Sequence, residues 1–122
     1  MSDTLNTIHD RLEDILESIN LIQEWSKDRE SVDDFMMSST GVMAFNACVM
    51  RFQVIGEQVG KLLSHEDHPL EHYQQIPWHA IYGLRNIISH EYANIDEEVI
   101  VSAINYDLVP LKSVIEELLK KY

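Results

Sequence analysis

Cysteine is almost absent from this 122-residue chain, with Cys48 standing alone. A disulfide framework within the chain is therefore excluded, and a reducing compartment fits best. Glycine and proline are also scarce, at four and three residues, so there are few breakers and long helices are favoured. Basic residues are outnumbered, nine against 21 acids, for a net charge of −12. That balance argues against generic affinity for nucleic acid, which is driven by Lys and Arg neutralising phosphates. No apolar run approaches the roughly 18 residues of a membrane span. The N-terminal stretch MSDTLNTIHDRLEDIL carries acids where a signal peptide is basic. The expectation is one cytoplasmic domain over 1–122 with no membrane association.

What the chain does have is apolar periodicity. Leu5, Ile8, Leu12, Ile15, Leu16, Ile19 and Ile22 recur at three- and four-residue steps, which predicts an amphipathic helix over 3–28. Val42, Phe45, Val49, Phe52, Ile55, Val59, Leu62 and Leu63 predict a second over 40–65, and the stretch between reads as a connection with one short helical turn. The segment SHEDHPLEHYQQIP is a loop, and Pro77 is placed to open a third helix running from Trp78 to about His90. The segment Asn94-Ile95-Asp96 offers a cap side chain, followed by Glu97 and Glu98 in the first turn of a helix over 96–106. Asp107 is the expected cap of a last helix carrying Leu111, Val114, Ile115, Leu118 and Leu119. The fold class is all-α, a bundle of four to five helices. Acidity is uneven, with ten acids in residues 1 to 34 but only Glu57 in residues 35 to 65, so a nucleic-acid site has to avoid the first helix.

The third helix holds the chemistry. Ile81, Leu84 and Ile88 share one side, which faces the core, while His79, Gly83, Asn86 and His90 follow one another at steps of four, three and four on the opposite side. A helix-interior Gly costs about 1 kcal/mol. On an outward face it implies close approach by another surface, and a second copy of the chain is the expected occupant of this His79, Gly83, Asn86, His90 interface. Arg85 and His90 lie about 140° apart on an ideal helix and do not converge within one chain. A two-fold pairing brings Arg85 of one copy toward His90 of the other. Imidazole relays protons near neutral pH and guanidinium grips phosphate, so the pair suits phosphodiester cleavage without metal or cofactor.

The run Arg85-Asn86-Ile87-Ile88-Ser89-His90-Glu91-Tyr92 resembles the R-N-x-x-x-H-x-Y motif of HepT-like HEPN domains. Ile55-Gly56-Glu57, Ile76-Pro77-Trp78 with Ile81 and Gly83, and Tyr92 to Ile95-Asp96 extend the resemblance over about residues 40 to 115. The resemblance implies a homodimeric HEPN-like bundle acting as the toxin of a toxin–antitoxin pair, an endoribonuclease that drives the ribose 2′-hydroxyl onto the adjacent phosphate. Arg85 and His90 are then catalytic, and Asn86 orients the catalytic groups. Tyr92 matches the tyrosine that a partner minimal nucleotidyltransferase antitoxin modifies with AMP. The implied partners are RNA, that antitoxin and a second copy, with larger assembly around the antitoxin left open.

Plainer readings stand beside these. Arg85 and His90 also suit a surface ion pair and a helix-end histidine on the dipole, and Tyr92 suits packing beside Ile88. Trp78 and Cys48 read as core. His65, His68 and His72 sit among acids, but Pro69 breaks their register, so a solvated loop is expected and no metal. Met36, Met37, Met43 and Met50 read as flexible packing or dimer surface. Two rival functions remain, a noncatalytic module that partners and supports a minimal nucleotidyltransferase, and a helical adaptor dimer without a site.

Overall fold

A computed structural model describes the backbone of residues 2–122 and the side chains from Thr7 onward, so Leu5 of the first stripe lies outside the described side chains. The expected stripe is what buries the first helix, α1 (Ser2–Trp25): Ile8, Leu12, Ile15, Ile19 and Ile22 are fully covered. Burying each such side chain is worth about 1.5–3 kcal/mol. The helix stops three residues before the expected end, and Asp28 takes a left-handed φ of 66°. Asp is among the few non-glycine residues that adopt this region readily, so it turns the chain out of the helix.

The single turn expected between the long helices is α2 (Val32–Met36). Ser31 and Asp34 cap it reciprocally, Asp34 N–H donating to Ser31 Oγ at 3.1 Å and the Ser31 amide donating to the Asp34 carboxylate at 3.1 Å. The Glu30 and Ser31 amides, both donating to it, hold the Asp34 carboxyl below its ordinary value. Phe35 is buried and meets Phe45 edge-on at 5.9 Å. Ser38 then caps α3 (Ser39–Leu63) by accepting from Gly41 N–H. Gly41 has no room for a Cβ against the Phe35 carbonyl, so α2 and the first turn of α3 are in direct backbone contact.

The loop of residues 64–77 is less polar in effect than in composition. Leu70, Tyr73 and Ile76 are buried, and Trp78 Nε1 donates to the Tyr73 carbonyl at 2.8 Å within the core. Pro77 sits one position before α4 (Trp78–Glu91) rather than inside its first turn, and its carbonyl accepts from Ile81 N–H. A 3-10 turn, Tyr92–Asn94, follows, and Asp96 caps α5 (Glu97–Ser102) as expected by accepting from Glu98 N–H at 3.0 Å.

The division expected at residue 107 does not exist. The chain runs from α5 through a π-type turn, Ala103–Asp107, straight into α6 (Leu108–Leu119), and Asp107 is helical and caps nothing. Pro110 supplies the reason. With no N–H it leaves the Tyr106 carbonyl without its i+4 donor and its ring crowds that oxygen, so the helix widens just before it instead of stopping.

α3 is the central rod. α1 and α4 flank it, α2 lies at its start and α6 packs on α1. Asn105 Nδ2 ties the π turn to the Glu30 carbonyl at 2.7 Å. The described residues contain helices and turns with no strand, an all-α bundle as expected, and no helix is long and apolar enough to cross a membrane. The order of neighbours, α4, α3, α1 and α6, leaves α4 extensively packed on α3 alone. A cleft of about 660 Å³ separates its other side from α5 and α6.

Candidate functional site

α4 runs antiparallel along α3, as its contacts show in order: Tyr82 on Gly60, Arg85 on Gly56, Ser89 with Gln53, Tyr92 with Asn46. Gly56 and Gly60 are four apart, hence on one face of α3, and a Cβ on either would collide with α4. At Gly56 the obstacles are Arg85 Cβ and, at 3.1 Å, the Ile81 carbonyl oxygen. Here glycine permits close approach of two helices, so Arg85 starts from a rigid point.

The Arg85 side chain is half-buried. One terminal nitrogen donates to Asn86 Oδ1 at 3.1 Å, and Nε is buried with no hydrogen-bond partner. A buried guanidinium donor without an acceptor is unfavourable by about 1–3 kcal/mol or more. His90 is exposed, as is His79, and no hydrogen bond or ion pair joins His90 to Arg85 among the described residues. The single chain thus brings Arg85 to Asn86 and keeps His90 on another side of the helix, in line with the wheel. Gly83 is half-buried, and a Cβ there would meet no atom within 4 Å. Among the described residues, no other element comes within 4 Å of that Cβ position; the close approach that glycine allows occurs instead at Gly56 and Gly60.

Tyr92 lies beyond α4 in the 3-10 turn, 48% exposed, with its hydroxyl 3.5 Å from Asn46 Oδ1. It borders a shallow pocket of about 240 Å³ with Met36, Phe45, Ile95 and Glu97, so its ring leans toward α3 and its hydroxyl is reachable. Gly56, Gly60 and Tyr82 shape the site without having been singled out as site residues. The Gly-x-x-x-Gly spacing on α3 was the signal that would have found them.

The 660 Å³ cleft is elsewhere, against the opposite flank of α4. Ile81, Gly83, Leu84, Ile87, Val99 and Leu108 line it, Asp107 is its one charged wall residue, and neither Arg85 nor His90 reaches it. Without acids or bases that suit proton transfer it is no reaction chamber, but with Ile87 and Val99 about half exposed it is a surface that apolar contact would cover. Elsewhere Cys48 is buried, and burial pushes its thiol up to about 12. His65 Nδ1 accepts from the Asp67 amide within the loop, and no group of three or more His, Cys, Asp or Glu among the described residues is arranged to hold a metal.

Comparison with known proteins gives the family of the chain as a whole. Residues 15–118 match the family model described as "Ribonuclease HepT-like". A Methanocaldococcus jannaschii protein named as a gamma-glutamylcyclotransferase with a provisional RNase is 34% identical over 112 residues; these cover 89% of this chain but 45% of that one, so this chain spans less than half of that relative. A provisional RNase of the same organism is 30% identical over 86% of this chain and 90% of its own length. The "Probable ribonuclease HepT" of Thermococcus cleftensis is 29% identical over 91% of this chain and 94% of its own. No solved structure matches significantly. The match runs through α1, α3, α4 and α6 alike, and on that ground the chain belongs to the HepT-like ribonuclease family.

Proposed function

We propose that this chain is the toxin component of a toxin–antitoxin pair, a metal-independent endoribonuclease whose site is completed by a second copy. One observation carries the reading: Arg85 is fixed on Gly56 with its guanidinium turned to Asn86 and one donor unpaired, while His90 stands free on another side of the same helix. Two copies meeting along the His79, Gly83, Asn86, His90 face put a guanidinium of one beside an imidazole of the other. The exposed apolar wall next to Gly83 favours such a pairing, because the cleft is poor in charge and contact there brings few like charges of a chain at −12 together. The names of the relatives, ribonucleases among them, support RNA as the substrate.

In the reaction one His90 takes the proton of the ribose 2′-hydroxyl as its oxygen bonds to phosphorus. The 5′-oxygen leaves, collecting a proton from the second copy's His90, and the RNA ends in a 2′,3′-cyclic phosphate. Arg85 holds the non-bridging oxygens and neutralises charge that grows in the transition state. Asn86, bonded to Arg85, sets the guanidinium's direction. Tyr92, with its hydroxyl near the surface, is the acceptor for AMP from a minimal nucleotidyltransferase antitoxin, which inactivates the site by adding a bulky anion beside it. The protein acts in the cytoplasm.

Purified chain, shown by mass spectrometry to carry no AMP, is expected to cleave cellular RNA in the presence of chelator, with cyclic-phosphate ends. His90→Ala is expected to reduce the rate by about 10²–10⁴-fold. Absence of cleavage by the unmodified dimer would overturn the catalytic reading. The rival reading, a noncatalytic partner of a nucleotidyltransferase, draws on the exposed Met37, Met43 and Met50, adaptable apolar side chains of the kind found at protein interfaces. It predicts a stable complex with that enzyme and no cleavage by the isolated chain.

A further inference from the structure

One turn before Arg85 on α4, and at the end of α3, lies an open pocket of about 260 Å³ lined by Glu57, Gly60, Lys61, Ser64, Tyr82 and Arg85. The catalytic reading assigns it nothing. Three of its features point to one ligand. Arg85 borders it with a half-buried guanidinium that donates from one terminal nitrogen to Asn86. Lys61 is half exposed, and its carboxylate neighbour Glu57 is 3.8 Å away, a loose exposed pair that contributes little. Tyr82 rests its ring against Gly60 and leaves 38% of itself exposed.

Several cations elsewhere are held by the packing or by a ring. Arg11 is engaged with Gln58, Arg51 with Ser18 and Glu17, and Lys112 with Gln23, all inside the packing of α1 against its neighbours. Lys121 lies over the Tyr73 ring. Lys61 and Arg85 have partners too, Glu57 and Asn86, but they border one depression of a strongly acidic protein, and an aromatic side chain shares it. Two cations for a phosphate and a ring for a base are what single-stranded RNA requires.

We propose that this pocket is a nucleotide subsite, holding the residue next to the cleaved linkage, with its phosphate between Lys61 and Arg85 and its base against Tyr82. The inference rests on the RNA-cleaving reading above and adds the direction of the strand: it leaves Arg85 along α4 toward Tyr82, away from His90 of the same chain. Glu57 is displaced from Lys61 when the phosphate enters, so it works against binding.

The test uses the full-length protein, a fluorescent single-stranded RNA for cleavage and its uncleavable 2′-deoxy counterpart for binding. Lys61→Ala is expected to weaken binding about 5-fold or more and to lower the slope of log affinity against log salt by about 0.7, the signature of one lost phosphate contact on a single strand. Tyr82→Ala is expected to weaken binding about 5- to 100-fold by removing one stacked base, with KM rising more than kcat falls, and Tyr82→Phe to restore it. Glu57→Gln is expected to tighten binding, which a merely structural role for the pocket does not predict. If wild-type protein cleaves while all four variants bind and cleave like it, the subsite is wrong and the catalytic reading stands. If wild-type protein binds through Lys61 and Tyr82 without cleaving, the subsite stands and the catalytic reading falls. Wild-type protein that neither binds nor cleaves overturns both.

Discussion

The same substitution, glycine to alanine, has opposite consequences at two positions 27 apart in the chain. Each replacement removes the backbone freedom of a helix-interior glycine, a gain of about 1 kcal/mol. At Gly83 a Cβ meets nothing within 4 Å, so that gain is the whole effect on the isolated subunit. At Gly56 the Cβ drives into Arg85 Cβ, part of α4 rather than the free end of a side chain, with the Ile81 carbonyl at 3.1 Å behind it. Relief requires α4 to move off α3, and overpacking of this kind costs about 1–3 kcal/mol. Subtracting one variant from the other cancels the shared gain and leaves a difference of about 1–3 kcal/mol. At about 4 °C per kcal/mol for a chain of this size, Gly56→Ala should melt about 4–12 °C below Gly83→Ala. The assay is thermal unfolding by circular dichroism, at concentrations where sedimentation shows one species for both proteins. Equal melting temperatures would refute the close packing of α4 on α3 at Arg85. Because that packing also positions Arg85, Gly56→Ala should cut RNA cleavage at temperatures where it remains folded.

Two further outcomes follow from the core. Trp78→Phe keeps most of the ring but removes one of two donors to the Tyr73 carbonyl, which then keeps only the Ile76 N–H, and should lower stability by about 0.5–1.5 kcal/mol in a denaturant titration; an unchanged midpoint would show that this bond is dispensable. Cys48 should resist a thiol reagent at neutral pH until the protein unfolds, since burial pushes its thiol up to about 12 from an unfolded value near 8.5. With the folded value the higher one, the unfolded chain releases this proton first. Stability is therefore complete below about pH 8.5 and declines as pH rises toward 12, and Cys48→Ala should flatten that part of the pH profile.

Periodicity carried most of the architecture. The stripes on α1 and α3 named residues that are mostly buried, with Val42 exposed and Leu16 and Leu63 partly covered, because a helix long enough to show several turns of pattern has a face that only the core can take. Failures fell where local rules met competing ones. Asp107 has the chemistry of a cap and Pro110 the reputation of a breaker, yet apolar residues on both sides of them bury together and the chain widens by one π turn instead of parting. The loop between α3 and α4 looked polar because its buried Leu70, Tyr73 and Ile76, although three apart, lie between Pro69 and Pro77 in a run too short and too rich in polar residues to read as a helix. On α4 the separation of Arg85 from His90 was legible from angle alone. What the angle could not show is that Arg85 leans on a flat made by Gly56 and Gly60, since that requires knowing which face of α3 meets α4. Gly83 attracted notice as the glycine of the motif helix, while the pair on α3 did the packing.

A helix braced along one side only bears on how output would scale with abundance. α4 rests on α3 and faces a gap on its other flank. If the second copy is what braces that flank, a subunit alone holds its motif on an unsteady beam, and encounter both steadies the beam and completes the pair of reacting groups. Damage to RNA would then rise with roughly the square of subunit number while copies are few. Small changes in synthesis or turnover would be amplified, and a cell could keep such a protein harmless by scarcity as well as by an inhibitor.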